Sequence, residues 1–282
     1  VNSCLKKYLS SISPDNSYQS ELNNIMKYSV LAGGKRFRLI LTYTVANLFD
    51  IDLQKVDSSA CAIELIHIYS LIHDDLPAMD DDDIRHNQPS SHKVYGEAQA
   101  ILAGDGLQAL AFEVISSDDL IDSDTKVKLL NFLSLSAFKM AEGQSIDLSI
   151  VSKEVDIELL NNMHQKKTGS LLNCAVMLGV ILNPKISEKD LSILNSFSSL
   201  IGLAYQVQDD VLDVTTSGEI LGKRQNSDAV KNKPSYPSIL GLDESVNKYE
   251  SLYQKALDEI SQLSVNEESL RDLTIKLKKR SF

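Results

Sequence analysis

Two short acidic runs carry the side chains best suited to do chemistry. Residues 74–83 read DDLPAMDDDD and residues 205–213 read YQVQDDVLD, and together they hold nine of the 39 acidic side chains. Carboxylates set so closely repel one another, and hard divalent cations with oxygen ligands are their natural partners. The pattern predicts a Mg²⁺ site. The alternatives are a solvated acidic loop for the first run and exposed surface aspartates for the second.

The placement of the two runs favours a shared site. The first run follows a long apolar segment, 56–73, whose helix would end in a negative dipole and so needs a compensating cation. Pro77 interrupts regular geometry, so the flanking aspartates can turn towards one point. In the second run, Asp209 and Asp213 are four residues apart and share a helix face. Two such segments suit opposite walls of a cavity in a helical bundle, where Mg²⁺ would meet substrate phosphates.

Cations lie beside these carboxylates and predict phosphate binding, with a surface basic patch as the alternative. Lysine meets phosphate as a point charge and arginine as a bidentate fork. His67, on the apolar segment, is either a core histidine or a phosphate ligand. The cations in question are those of GGKRFR at 33–38, together with Arg85, Lys167, Lys223 and Lys233.

The elements that must position these residues are predicted to be helices. Gly and Pro number only 12 and 6 in 282 residues, about half the average share of roughly 12 %. Apolar periodicity predicts helices at 18–32, 37–49, 56–73, 97–116, 125–142, 154–182, 188–214 and 243–280. The predicted breaks are Gly143, Pro184, Gly218 and Pro234/Pro237. We therefore expect an all-α protein, and Gly169 is expected to weaken the helix around Lys167.

Composition excludes several classes of protein. The net charge of −11 is too acidic for a general nucleic-acid binder. No linker divides the chain, so one domain over 1–282 is expected. Three widely spaced cysteines fit reduced thiols rather than a disulfide framework. We expect no membrane span, no signal peptide and a soluble, cytoplasmic protein.

Taken together, these motifs resemble the trans-isoprenyl diphosphate synthases, most closely those of the bacterial farnesyl diphosphate synthase type. The two aspartate motifs are DDLPAMD, with two residues inserted before Asp80, and DDVLD. The motifs that match in family order are GGKRFR (33–38), DDLPAMD (74–80), GQSIDL (143–148), KTGSL (167–171), DDVLD (209–213), LGK (221–223) and KPSYP (233–237). The resemblance implies an isoprenoid-synthase helical bundle around a deep cavity, in a homodimer. It also implies condensation of isopentenyl diphosphate with an allylic diphosphate, dimethylallyl or geranyl.

The resemblance also implies a role for each site residue. Asp74 and Asp80 would bind two Mg²⁺ ions and Asp209 a third, with Asp147 joining the first pair. Isopentenyl diphosphate would be held by Lys35, Arg38, His67 and His86. The allylic diphosphate would be held by Arg85, Lys167, Lys223 and Lys233. Thr168 and Gln206 would face the developing allylic cation. Together with Lys167 they would form the catalytic group. The ionised allylic carbon is attacked by the isopentenyl double bond, and a proton then leaves.

Product length is implied by two residues ahead of the first motif. Tyr69 lies five residues before Asp74, about 7.5 Å of helix rise, and its ring would form the floor of the cavity. Ser70 is small and leaves room for more than ten carbons. We expect the fifteen-carbon product, farnesyl diphosphate. The alternatives are geranyl or geranylgeranyl diphosphate, or a non-catalytic partner subunit. A terpene cyclase, a head-to-head synthase and an acidic Ca²⁺-binding protein fit the motifs less well.

Three positions depart from the family pattern. His86 stands where a second arginine is usual, Leu39 where proline is common and Asn226 where glycine is common. A neutral imidazole binds phosphate less well than a guanidinium. We therefore expect weaker binding of isopentenyl diphosphate at high pH than in relatives.

Overall fold

Helices make up nearly all of the regular structure in this computed structural model, which describes residues 2–11, 20–216 and 232–280. The helices are α1 Asn2–Ser11, α2 Ser20–Leu31, α3 Phe37–Leu48, α4 Leu53–Asp74, α5 Ser91–Tyr95, α6 Glu97–Ser116, α7 Ser123–Ser149, α8 Ile157–His164, α9 Ser170–Val180, α10 Glu188–Thr215, α11 Tyr236–Leu240, α12 Leu242–Ile260 and α13 Glu268–Lys278. The all-α prediction is confirmed. In the described ranges the strands are β1 Ile84–Arg85 and β2 Gln88–Pro89, an antiparallel hairpin after the first acidic run.

The long helices α4, α7 and α10 and the short helix α8 begin at side chains that cap them. Asp52, Asp122, Asp156 and Ser187 each accept a hydrogen bond from a backbone N–H two or three residues further on, at the starts of α4, α7, α8 and α10. Such caps satisfy donors that the first helical turn leaves unpaired and typically stabilise a helix by about 1 kcal/mol. The long site-bearing helices are thus fixed at the end opposite their acidic residues.

Helix α4 is the centre of the main apolar core. It is buried around most of its circumference from Val56 to Ile72 and packs against α3, α6 and α9. A second, smaller apolar cluster joins α8, α10, α11, α12 and α13. Phe37, Leu200 and Tyr205 pack against both clusters. One domain over 1–282 stays a prediction.

The structure corrects several predicted boundaries. The predicted break at Gly143 is wrong, because α7 continues through it to Ser149. A Cβ at Gly143 would lie 2.1 Å from the backbone nitrogen of Lys167, so this glycine serves close packing rather than a helix end. The predicted helix 243–280 is two helices, α12 and α13. Pro237 lies inside α11, near its start, where a missing N–H costs nothing. Gly218 lies outside the described residues.

The predicted helix at 154–182 is three consecutive pieces. Helix α8 runs into a π-helical turn, Gln165–Gly169, which continues into α9. Gly169 lies close to α10, since a Cβ at Gly202 would be 2.9 Å from the Gly169 Cα. The expectation that the helix is irregular beside Lys167 is therefore confirmed, and its form is a wide turn.

Helix α6 alone, among the described residues, has the length and hydropathy to cross a membrane, with 44 % of the tested window buried. This match is one of helix length and composition, and a core helix of a soluble protein has the same length and composition.

Candidate active site

A cavity of about 460 Å³ lies between α3, α4, α7 and the π turn. Its walls are mainly apolar, and its polar residues come from all four of these elements. Of the residues singled out in the sequence, those lining the cavity are Arg38, His67, Tyr69, Ser70, Asp74, Lys167 and Thr168. The structure thus brings seven predicted residues from three separate motifs into one space.

Asp74, the last residue of α4, is a half-buried carboxylate that lines this cavity. The pKa of Asp74 is raised to about 6. Burial is the main cause, Lys167 opposes it, and the charge of Asp80 acts in the same direction as burial. A carboxyl group with so high a pKa lacks enough positive charge around it. The site therefore favours an additional cation near Asp74.

Lys233 links the first acidic run to α7. Its Nζ lies 2.7 Å from Oδ1 of Asp80 and 3.0 Å from Oδ2 of Asp147, and its side chain is only 13 % exposed. Lys167 Nζ lies 2.7 Å from the same oxygen of Asp147. Burial alone would raise the pKa of Asp147, but the two ammonium groups hold it below its usual range. Asp80, Asp147 and Lys233 are not among the described residues that line the cavity, and Lys167 connects this network of charges to it.

The π turn presents Thr168 to the cavity and to α10. The Thr168 hydroxyl donates to Oε1 of Gln206 at 2.9 Å, and Gln206 Nε2 donates to Oδ1 of Asp210 at 3.2 Å. Gln206 is absent from the cavity lining among the described residues, so it acts on the cavity through Thr168.

Arg38 and His67 are two half-buried polar residues in the cavity wall. The Nε atom of Arg38 is buried and has no hydrogen-bond partner within the described ranges. Burial lowers the pKa of Arg38. Burial also places the pKa of His67 well below its usual value, with Arg38 acting in the same direction. His67 is therefore neutral at pH 7, and Arg38 keeps donors available for an anion.

Arg85 and His86 lie on the hairpin beside a much smaller pocket of about 30 Å³. Arg85 binds Asp75 through two donors, Nε at 3.0 Å and Nη2, and lies 3.3 Å from Asp82. Burial lowers the pKa of His86, and so do Arg85 and Arg36, which makes the imidazole neutral at pH 7. Neither residue lines the larger cavity among the residues that the structure describes.

Asp209 faces the carboxyl end of the described chain. Arg280 Nη1 lies 3.4 Å from Asp209, and its guanidinium stacks on the ring of Tyr205 at 3.5 Å. Burial lowers the pKa of Lys35, with Arg280 acting in the same direction and Asp209 against it, so these charges form a second group. Sequence reasoning missed Arg280, because nothing in the run KLKKR distinguishes it, and missed Asp210, although DDVLD contains it.

The predicted metal ligands are not one cluster. In the described ranges, the group of three side chains whose possible ligand atoms all lie within 4.8 Å of one another is Asp81, Asp83 and His92. Asp80 and Asp147 instead share the ammonium group of Lys233. Lys223 lies outside the described residues.

Comparison with known proteins assigns the chain to a family. The sequence profile of the polyprenyl synthetase family matches residues 19–271. The chain belongs to this family. A farnesyl diphosphate synthase from Haemophilus influenzae is 42 % identical over 250 residues, covering 88 % of this chain and 85 % of that protein. A geranylgeranyl diphosphate synthase from Cyanophora paradoxa is 42 % identical over 239 residues, covering 83 % and 79 %.

A solved structure extends the similarity to the fold. A geranyltransferase from Helicobacter pylori, solved with magnesium and isoprenyl diphosphate, has a TM-score of 0.85 and 30 % identity, covering 98 % of this chain and 94 % of that one. The resemblance stated from the sequence is therefore confirmed, as is its prediction of a prenyltransferase of the polyprenyl synthetase family.

Proposed function

We propose that this polyprenyl synthetase makes farnesyl diphosphate by head-to-tail condensation of isopentenyl diphosphate with dimethylallyl and then geranyl diphosphate. The observation that carries the proposal is an apolar cavity with Asp74, Lys167 and Arg38 in its wall and Tyr69 beneath them. Such a cavity holds a charged head and a hydrocarbon tail at once. The identity to a farnesyl diphosphate synthase adds support.

The donors at the rim fit Mg²⁺. Asp74 and Asp80 offer carboxylate oxygens, which Mg²⁺ binds through one or two groups together with substrate phosphates. The raised pKa of Asp74 indicates that too little positive charge surrounds it. Lys233 supplies one positive charge nearby, beside Asp80. We propose Asp74, Asp80 and Asp209 as the metal residues, with Asp147 beside the first pair. Three bound Mg²⁺ ions would neutralise the diphosphate that leaves as the C–O bond breaks.

The residues of the chain then have separate tasks. Lys167 and Lys233, with Arg85 and Lys223, bind the allylic diphosphate as it takes up charge. Arg38 and Lys35, with His67 and His86, hold isopentenyl diphosphate. The apolar walls delay capture of the allylic cation by water. The Thr168 oxygen, supported by Gln206, faces the cation. The isopentenyl double bond attacks it, and the departing diphosphate accepts the proton that is lost.

Geranylgeranyl diphosphate is the alternative product, and the identity to the Cyanophora paradoxa enzyme favours it. Tyr69 favours the shorter product, because its side chain is 8 % exposed and lines the cavity. Geranyl diphosphate or a non-catalytic partner role would leave this space unused.

A homodimer in the cytoplasm completes the proposal. Helices α6 and α7 carry large apolar side chains on the surface, and a partner copy would cover them. The most exposed are Ile101 (43 %), Leu102 (51 %), Val127 (65 %), Leu135 (49 %) and Phe138 (63 %). Phe138→Glu should then convert a dimer into a monomer in light scattering.

One assay tests the proposed function. The purified chain is incubated with dimethylallyl and isopentenyl diphosphates and Mg²⁺, and the dephosphorylated products are separated by chromatography. We expect farnesol as the main alcohol and no product after chelation of the metal. A chain that consumes neither substrate would contradict the proposal, and geranylgeraniol as the main product would replace it with the alternative.

A further inference from the structure

Asp210 stands at the buried end of a hydrogen-bond chain that begins at the cavity. Thr168 donates to Oε1 of Gln206, and Gln206 Nε2 donates to Oδ1 of Asp210. The other oxygen of Asp210, Oδ2, accepts from the backbone nitrogen of Tyr236 at 3.0 Å and lies 3.7 Å from Nε2 of His164. The carboxylate is 4 % exposed.

The direction of this chain follows from the chemistry of its last member. Both carboxyl oxygens of Asp210 accept a hydrogen bond, Oδ1 from the NH₂ group of Gln206 and Oδ2 from the backbone N–H of Tyr236. The amide oxygen of Gln206 then faces Thr168, and the Thr168 hydroxyl must donate its proton there. The lone pairs of the Thr168 oxygen remain for the cavity that Thr168 lines.

We propose that Asp210 is a positioning residue that fixes the polarity of this chain, so that an oxygen lone pair of Thr168, and not its hydrogen, faces the reacting allylic carbon. The inference rests on the proposed prenyl transfer. An electron-poor carbon in a dry cavity is stabilised by an oriented oxygen and destabilised by an O–H directed at it. Asp210 thus acts two hydrogen bonds away from the substrate.

Asp210→Asn tests the polarity while keeping the shape of the side chain. The asparagine oxygen keeps the Tyr236 N–H, because the opposite orientation would set two donors face to face. Its NH₂ group then faces Gln206, whose amide must turn over and donate to Thr168. Every hydrogen bond in the chain is kept, but Thr168 becomes an acceptor and its hydrogen is released.

The expected result is a lower kcat with an almost unchanged KM for both substrates. We expect kcat of D210N to drop about 10- to 100-fold, as when an oriented dipole is removed from an active site, with KM for both substrates and the Mg²⁺ requirement changed less than about threefold. Asp190→Asn is the matched control, since Asp190 is a carboxylate on the same helix, 2 % exposed and bonded to Ser264 far along the chain. D190N should keep the wild-type kcat.

A double mutant separates polarity from general damage. Thr168→Val removes the oxygen and should also lower kcat. In D210N/T168V the effects should not multiply, because Asp210 acts only through Thr168, so the double variant should match T168V alone. If D210N does not fold, Gln206→Leu replaces it, and Q206L/T168V should likewise match T168V.

Four outcomes would overturn the inference. They are multiplied effects in the double variants, a wild-type kcat in D210N, a wild-type kcat in T168V, and a markedly higher Mg²⁺ requirement in D210N, which would make Asp210 a metal ligand. An inactive wild-type protein would instead contradict the proposed function, so the two failures are distinguishable.

Discussion

We propose that Tyr69, which lines the cavity, limits its depth, so its replacement should change product length. Its ring packs edge-on against His73, with centroids 5.7 Å apart, and lies about 7.5 Å of helix rise from Asp74. Tyr69→Ala opens the space beneath the ring to a further five-carbon unit. At about 0.8 kcal/mol per buried methylene, that unit gains at most about 4 kcal/mol. This corresponds to about 10³-fold in favour of another round of elongation.

The assay is the same incubation, with excess isopentenyl diphosphate and separation of the dephosphorylated products. We expect Y69A to make mainly geranylgeranyl diphosphate, and Tyr69→Phe, which keeps the ring, to make farnesyl diphosphate. Tyr69→Leu is an intermediate that preserves more packing if Y69A is unstable. An active Y69A or Y69L variant with the wild-type product distribution would show that the floor lies elsewhere.

Three further predictions follow from packing and from the lowered pKa values of His86 and His67. Gly143→Ala should lower the free energy of unfolding by about 2 kcal/mol and reduce kcat, because the new Cβ would lie 2.1 Å from the Lys167 backbone. Gly106→Ala is the control and should change neither quantity, because its Cβ would meet only the flexible end of Met26, at 3.2 Å. Urea titration measures the free energy of unfolding, and the product assay measures kcat. His86→Arg should lower KM for isopentenyl diphosphate at pH 7–8. Wild-type KM should be flat there and fall only at lower pH, since the pKa of His86 is depressed, and a wild-type KM that changes between pH 7 and 8 would contradict this. His67 is neutral in the folded protein and binds a proton at about pH 6.5 in the unfolded chain, so the free energy of unfolding falls as the pH drops below 6.5. Between pH 7.5 and 5.5 the wild type should lose on the order of 1 kcal/mol more of this free energy than His67→Gln does. Equal losses in the two proteins would place His67 in solvent.

The sequence predicted the elements and most of the cavity because their signals are local. Apolar periodicity identifies a buried helix such as α4, and Asp74 follows it directly, so the place of the first acidic run needs no tertiary information. Arg38, Lys167 and Thr168 stand in motifs of fixed spacing. The structure brings these three residues to the wall of one cavity, and their roles there stay predictions.

What could not be predicted depends on distant parts of the chain. Gly143 is a helix breaker by propensity, and only its approach to the Lys167 backbone explains why α7 continues through it. The contact of Arg280 with Asp209 spans 71 residues and has no local pattern. Lys233 is predicted at a phosphate, and its contacts with Asp80 and Asp147, 153 and 86 residues away along the chain, have no local pattern either.

The π turn at Gln165–Gly169 has a consequence for how this chain can change by deletion. A π turn holds one residue more than the α-helix around it, so losing one of its five residues would leave a continuous α-helix and a helix α9 still long enough to pack. The residues on either side would keep nearly the same faces, because the wider π turn absorbs its extra residue. Deletion of one residue here would thus leave a helix that can still pack, but it would shift Lys167 or Thr168 from the place that each has in the cavity wall.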